Sequence, residues 1–561
     1  MRKQFGTNRP TVKRETWASL GMVTSNHPLA SLAGVEMLLR GGNAVDAAVA
    51  TLFALSVVEP MMVSIFGAGF FTVRLADGRV MTVDDYAVVP LAAREDMYVP
   101  IPGSLDNDVE GGLNDTGYLA VATPGSLLGW VRILERAGRL PLAVVVEPAV
   151  RYARNGFRIS PYLHGFIRLC QDALARFPAS AELFLPGGKP APVGSVLRLP
   201  DYATTLERIG AQGAAYLYDG PLGQVVAAEM AANGGLVTLD DLARYRVYER
   251  EPVRGSYRGY EIVSMGPVSS GGILLIEMLN ILEGFDLPAF GFGTPDTVHL
   301  IAEVMKIAFA DRGRYLADPE RVRIPVEWLT STAYAAERRA QIDLRRAQPY
   351  TPGMMPDGEG TCTTHCCAAD ADGNVVSATQ TLNGAFGSKV TVPRTGMLLN
   401  NCMKLMDPTP GHPNSIAPGK RILSSMSPTI VLRDGEPLLA IGTPGGVRIF
   451  GAVLQAIVNV IDFGMSVQEA VEAPRLFNRG PVLELERGFD RLPELVAELE
   501  QRGHTVQLVP KVAGGMNGIL IDQETGLLRG GACWRADGAA VGYSGGEALT
   551  TDEEFSPGIP V

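Results

Sequence analysis

The pattern of this 561-residue chain changes once along its length, and that change limits what it can fold into. Ahead of the break, helical spacing dominates. Residues 29–40 stop at Gly41-Gly42, a helix C-terminal signal, and a second helix is expected over 44–58. Two strand-like runs, 70–75 and 79–84, hinge at Asp77-Gly78. The middle, from about 125 to 345, reads as mostly helical, with helices expected over 129–137, 222–232, 272–282 and 298–310. Residues 348–360 are rich in Pro, Gly and Met without any period and read as a loop or linker. Hairpins follow: 363–369 and 375–381 flank Asp372-Gly373, and 429–432 and 438–441 flank Asp434-Gly435. Gly445-Gly446 then opens a helix expected to run to about residue 463. Helices and hairpins on both sides of one break imply a layered α+β sandwich.

Composition removes several classes of function. The chain is 46% hydrophobic and 19% charged, enough for one large core or two to three domains. Its net charge of −11 is spread along the sequence, so no basic stripe invites nucleic acid or anionic lipid. The first twenty residues lack an apolar signal segment. The most apolar run, 44–58, carries Asp46 and is too short to span a bilayer, so it reads as a buried helix. Six cysteines in so long a chain are no disulfide framework, and four of them fall between 362 and 402. A cytoplasmic address is expected, with no membrane partner.

Chemistry points to Thr363. A threonine hydroxyl is a poor nucleophile until a base takes its proton, and cleavage of the preceding bond frees the residue's own α-amine for that task. Such an amine titrates near pH ~7.7–8, which suits general-base duty. Glu359-Gly360-Thr361-Cys362-Thr363-Thr364-His365 joins an aperiodic loop to a strand, where that design needs it. Thr379 and Thr381 lie two apart and share one face of the return strand, so with Asn383 they can orient Thr363. Ser424 and Ser425 supply hydroxyls before the next strand. Gly445 and Gly446 set backbone N–H groups at a helix start, where donors suit a developing oxyanion.

These residues sit in longer motifs. Gly41-Gly42-Asn43-Ala44-Val45-Asp46-Ala47-Ala48, Val58-Glu59-Pro60, Ser269-Ser270-Gly271-Gly272 and Ala308-Phe309-Ala310-Asp311-Arg312 precede the break. Thr363-Thr364-His365, Asp372-Gly373-Asn374, Leu399-Asn400-Asn401, Ser424-Ser425-Met426-Ser427-Pro428-Thr429, Thr443-Pro444-Gly445-Gly446 and Asp537-Gly538-Ala539-Ala540-Val541-Gly542-Tyr543 follow it. Over nearly its whole length the chain resembles the gamma-glutamyltranspeptidase family of N-terminal-nucleophile hydrolases. The resemblance implies an αββα sandwich and self-cleavage between Cys362 and Thr363. The large (1–362) and small (363–561) portions would then stay together as a heterodimer, whether or not such pairs associate further. It implies Thr363 as nucleophile and base, Thr381 as its hydrogen-bond partner, and Asn383, Ser424 and Ser425 in the acyl pocket. Gly445 and Gly446 would form the oxyanion hole. Neither a metal nor an organic cofactor is implied.

The departures concern substrate selection. Glutamyl-specific members grip the substrate α-carboxylate with an arginine; here Tyr86 stands at that place, in Asp84-Asp85-Tyr86-Ala87. They bind the α-amine with an acid shortly after the Asn-Asn pair; here Cys402-Met403-Lys404-Leu405 follows, with Leu405 in the acidic position. Each lost charge-assisted bond removes about 1.5–3 kcal/mol, so a γ-glutamyl head should be disfavoured by orders of magnitude. Lys404 offers a cation for a substrate with a carboxylate and no amine. Residues 407–420 look shorter than the lid of typical members, which implies an open pocket. The small-molecule amide substrate expected first is therefore an oxamate-type acid. A γ-glutamyl compound comes second, a cephalosporin (glutaryl) acylase substrate third, and a non-maturing pseudoenzyme is the alternative outside catalysis.

Three other features are set aside. Gly542-Tyr543-Ser544-Gly545-Gly546 fits a serine-hydrolase pattern, but no histidine follows His504 to complete a triad. Cys366 and Cys367 are adjacent on a strand and face opposite sides, so Cys362, His365, Cys366 and Cys367 make no zinc set. Asp46 and Glu59 read as helix caps.

Overall fold

A computed structural model describes residues 5–104, 106–350, 362–489 and 493–544. Two seven-stranded antiparallel sheets form its centre. One runs in spatial order Thr16–Ala18, Leu528–Ala532, Asn517–Ile521, Glu436–Gly442, Thr429–Arg433, Tyr260–Ser264 and Val253–Tyr257. The other runs Ala539–Tyr543, Gly21–Ser25, Cys362–Asp370, Val375–Asn383, Ala68–Arg74, Val80–Asp84 and Tyr248–Arg250.

Alternation of side chains along the strands sorts the core into three clusters. Met22, Cys367, Val375, Ile430, Ala440 and Ile519 fill the space between the sheets. Cys366, Val376 and Ala378 face the other way, onto the helices Pro28–Leu39, Ala44–Val58 and Ser126–Ala137. Ile262, Val431, Leu439 and Ile441 face the helices Gly271–Leu282, Pro295–Tyr315 and Ile449–Ile461. The result is the four-layer αββα sandwich.

Elements with a strong period appear where expected. Every residue of Ala44–Val58 is buried, and Asn43 and Asp46 close its N-terminus with a reciprocal capping box, so Asp46 is a cap as read. Glu59 is the C-cap at the other end, as read, through its backbone N–H to the Leu55 carbonyl at 2.8 Å, while its carboxyl turns to Thr364. The middle of the chain departs from its helical reading. Tyr248–Arg250, Val253–Tyr257 and Tyr260–Ser264 are strands that complete both sheet edges. The last two join through Arg258 (φ 51°) and Gly259 (φ 83°), a turn with two positive φ values that carries no Asn-Gly signal. The helix placed after Gly445-Gly446 begins one turn later, because residues 446–448 form a 3₁₀ turn ahead of Ile449–Ile461.

Cys170, Cys366, Cys367, Cys402 and Cys533 are buried free thiols. Among the described residues no helix is long and apolar enough to cross a membrane. Gly545 and Gly546 of the serine-hydrolase pattern, and most of the 348–360 loop, lie outside the described residues.

Candidate active site

The site grows from the hairpin of Cys362–Asp370 and Val375–Asn383, held at the centre of its sheet between Gly21–Ser25 and Ala68–Arg74. The turn uses Gly373 at φ 90°, which sets Thr363 opposite Thr381 and His365 opposite Thr379. Register slips between Cys362 and Thr363, so the ladder is irregular at the proposed scissile bond. The strand is continuous there, so Thr363 stands as in the uncut chain, with its nitrogen still in a peptide.

Thr363 Oγ1 donates to Thr381 Oγ1 at 3.2 Å, and both residues are buried. Thr381 Oγ1 also accepts from the Asn383 backbone N–H at 2.7 Å. Asn383 has φ 77°, which turns the chain out of the strand. Its side chain donates to the Asn401 carbonyl at 3.1 Å, while Asn401 Oδ1 accepts from the Gly384 N–H at 2.6 Å. Asn401 in turn donates to Asp115 Oδ1 at 2.9 Å. Thr379 does not join this chain of contacts; its hydroxyl lies 2.8 Å from His365 Nδ1.

Ser425 Oγ donates to the Gly446 carbonyl at 2.8 Å and ties the serine pair to the glycine turn. Ser424 Oγ accepts from the Met426 N–H at 3.3 Å, and its carbonyl accepts from both the N–H and the hydroxyl of Ser270. Gly445 (φ 145°) and Gly446 (φ 57°) adopt conformations that side-chain-bearing residues rarely take. A Cβ on Gly445 would lie 2.7 Å from the Ala513 Cβ. The first amides of a helix have no partner within it, so this turn can offer N–H groups to an anion.

Thr363, Thr381, Asn383, Ser424, Ser425 and Gly446 line one small cavity, closed by Tyr86, Leu405, Met426 and Ile449. Its free space is about 10 Å³, room for about one water. The open pocket expected from residues 407–420 is therefore not found in the uncut chain. That segment folds on itself, with Lys420 Nζ donating to the Pro413 and Ser415 carbonyls.

Tyr86 and Leu405 both line this cavity. Tyr86 stacks on Phe70 with ring centroids 4.9 Å apart. Its carbonyl accepts from Arg421 Nη1 at 3.0 Å, and the same nitrogen donates to Asp84 at 2.8 Å. Arg421, not singled out in the sequence, thus braces the pocket wall from behind. Two expectations need correction. Cys402 does not line the cavity: its thiol is fully buried in the core, and burial pushes its pKa up. Lys404 does not offer a free cation, since its ammonium is paired with Asp108 at 2.5 Å.

On the strand that carries Thr363, Thr364 Oγ1 donates to Glu59 Oε2 at 2.7 Å. Burial pushes the Glu59 pKa up to about 8, only partly offset by the Thr364 bond and helped by the nearby Asp537 carboxylate. Burial holds His365 down to about 3, so that ring is neutral. The Cys366 and Cys367 thiols are pushed up, as inert core thiols should be. Asn401, Asp115, Glu59 and Arg421 come from distant segments; Asn401 and Glu59 stood in sequence motifs, whereas Asp115 and Arg421 gave no sign.

The arrangement gathers two hydroxyls, those of Thr363 and Thr381, beside an amide-rich helix start, a set that acyl transfer can use. Comparisons with known proteins agree. The gamma-glutamyltranspeptidase family model matches residues 30–543. An acylase ACY 1 proenzyme from Pseudomonas sp. (strain SE83) is 52% identical over 539 residues, covering 96% of each chain. A glutathione hydrolase proenzyme from Escherichia coli (strain K12) is 39% identical over 542 residues, covering 94% of this chain and 92% of that one. The crystal structure of a cephalosporin acylase from Bacillus halodurans superposes with a TM-score of 0.87 at 31% identity, covering 96% of this chain and 99% of that one. This chain belongs to the gamma-glutamyltranspeptidase family of N-terminal-nucleophile amide hydrolases and acyltransferases.

Proposed function

We propose that the chain cuts itself before Thr363 and then hydrolyses the amide of an acyl group that lacks a zwitterionic glutamyl head, as an acylase. The observation that carries this reading is the pocket wall: Tyr86 and Leu405 line the same cavity as Thr363, at positions where the family resemblance leads one to expect charged groups. The likeness to an acylase proenzyme and to a cephalosporin acylase supports it. The oxamate-type acid put first on sequence grounds gives way, because the relatives found are acylases and glutathione hydrolases.

The chemistry follows from the residues. In the uncut chain the Thr363 hydroxyl attacks the Cys362 carbonyl, giving an ester and a free α-amine, and water releases the Cys362 carboxylate. In the mature site the amine takes the hydroxyl proton as Oγ1 attacks the substrate carbonyl. Thr381 holds the hydroxyl in place, and the N–H groups of Gly445 and Gly446 stabilise the oxyanion. The ammonium then protonates the leaving amine, and water, activated by the same amine, hydrolyses the acyl ester. Asn383, Ser424 and Ser425 position the acyl chain.

Two measurements test the proposal. Purified protein should show two fragments, the smaller starting at Thr363, while Thr363→Ala should stay one chain and lose about 10⁴-fold or more in rate. Glutaryl anilide and γ-glutamyl anilide differ by one ammonium group. The glutaryl compound is expected to win by about 100-fold or more in kcat/KM. Preference for the γ-glutamyl compound would overturn the acylase reading and leave self-cleavage standing.

A further inference from the structure

Far from this cavity in sequence, three buried side chains converge beneath the helix Pro295–Tyr315. His299 and Glu303 lie one turn apart on that helix, and His504 joins them from the turn after the helix Pro493–Gln501. All three are at most 5% exposed. One ligand atom from each falls within 4.8 Å of the others. His299 Nδ1 lies 2.7 Å from His504 Nε2, and His504 Nε2 lies 3.9 Å from Glu303 Oε1.

The surroundings of the three are already arranged as a metal's outer partners are. His299 Nε2 stands 2.8 Å from the Asp343 carbonyl, which can only accept, so the proton is on Nε2 and the Nδ1 lone pair faces inward. A ligating histidine is held this way, its other N–H on a carbonyl or carboxylate. Glu303 Oε2 is oriented by the Tyr350 hydroxyl at 2.8 Å and the Gln348 N–H at 3.0 Å, while Oε1 lies 2.6 Å from Lys306 Nζ and 3.9 Å from His504 Nε2. Two imidazoles and one carboxylate make a set that suits zinc.

We propose that His299, Glu303 and His504 bind one divalent ion of the zinc class, which pins residues 347–350 to the helix Pro295–Tyr315. Glu303 is the link: it would ligate through Oε1 and hold Gln348 and Tyr350 through Oε2. Three adjustments accompany binding. Zinc takes nitrogen ligands at about 2.0–2.1 Å, so tetrahedral partners stand about 3.3 Å apart and the imidazoles must part by about half an ångström. The His504 proton moves to its Nδ1. Lys306 Nζ, now 2.6 Å from Glu303 Oε1, must give way, keeping its bond of 2.7 Å to the Gln348 carbonyl. Lysine is thus the cation that balances Glu303 in the metal-free chain and competes with the metal.

The test uses the full chain, stripped with a chelator and titrated with zinc chloride against a chromophoric chelator. One equivalent per chain is expected, weakened about 100-fold in His504→Gln and Glu303→Gln and tightened in Lys306→Met. Zinc should also raise the melting temperature of the unmodified chain and leave that of His504→Gln unmoved. Zinc binding no stronger than that of the variants, or weakened by Lys306→Met, would overturn the proposal. If neither ligand variant folds, crystals of the unmodified chain grown with zinc decide at the zinc absorption edge. An anomalous peak among the three side chains supports the site, and its absence refutes it.

Discussion

At the residue scale, the Thr363 site rests on hydroxyls and amides, and burial favours the neutral form of the Glu59 carboxyl behind it. Glu59 is fully buried and its pKa is pushed up to about 8, against 4.5 for an ordinary glutamate. Between those values the folded chain holds a proton that the unfolded chain has released. The stability tied to this group is complete below pH ~4.5 and is lost as pH rises through about 8. At about 1.4 kcal/mol per unit the loss amounts to several kcal/mol. Glu59→Gln keeps an acceptor for Thr364 but removes the titration, so its stability should fall less between pH 5 and pH 8. Chemical denaturation at the two pH values checks this, and equal falls in both proteins would refute it. The sequence showed Glu59 at a helix end and within the Val58-Glu59-Pro60 motif, with no sign of its partner. Its partner Thr364 lies 305 positions away, so the contact had no local signal. Thr363 and Thr381 were legible because one hairpin with an Asp-Gly turn fixes their register. Asn401 and Asp115, 286 positions apart, were not.

At the scale of elements, the glycine turn before Ile449–Ile461 decides where anion-binding amides point. Gly445 combines φ 145° with backbone and side-chain atoms of Ala513 against the place a Cβ would occupy. Gly445→Ala should therefore shift the turn rather than unfold the helix, whose buried face lies further along. We expect kcat on cleaved material to fall by about 10²-fold with KM changed little, the signature of a donor that acts mainly in the transition state. A raised KM at unchanged kcat would mean the turn only holds substrate. Gly-Gly before a helix is visible in sequence; the collision with Ala513 is not, because that residue arrives from a separate loop. The edge strands Tyr248–Arg250 and Val253–Tyr257 escaped for a related reason. They are short and partly charged, and only pairing with Val80–Asp84 and Tyr260–Ser264 makes them strands.

At the scale of the whole molecule, both sheets mix strands from before and after Thr363. In the sheet that holds Thr363, Gly21–Ser25 sits between Ala539–Tyr543 and Cys362–Asp370, while Val375–Asn383 pairs outward with Ala68–Arg74. In its partner, Thr429–Arg433 pairs with Tyr260–Ser264, and Leu528–Ala532 with Thr16–Ala18. Each proposed fragment alone would expose unpaired strand edges in both sheets and the apolar faces now buried between the layers. Cutting the Cys362–Thr363 bond removes one covalent link and none of these ladders. The two fragments should therefore co-elute in native buffer after complete cleavage and separate only in denaturant, and each expressed alone should be insoluble or unfolded. Chromatography of fully cleaved protein with gel analysis of each fraction checks this. Two separated native peaks would mean that the interleaved sheets do not hold the molecule together.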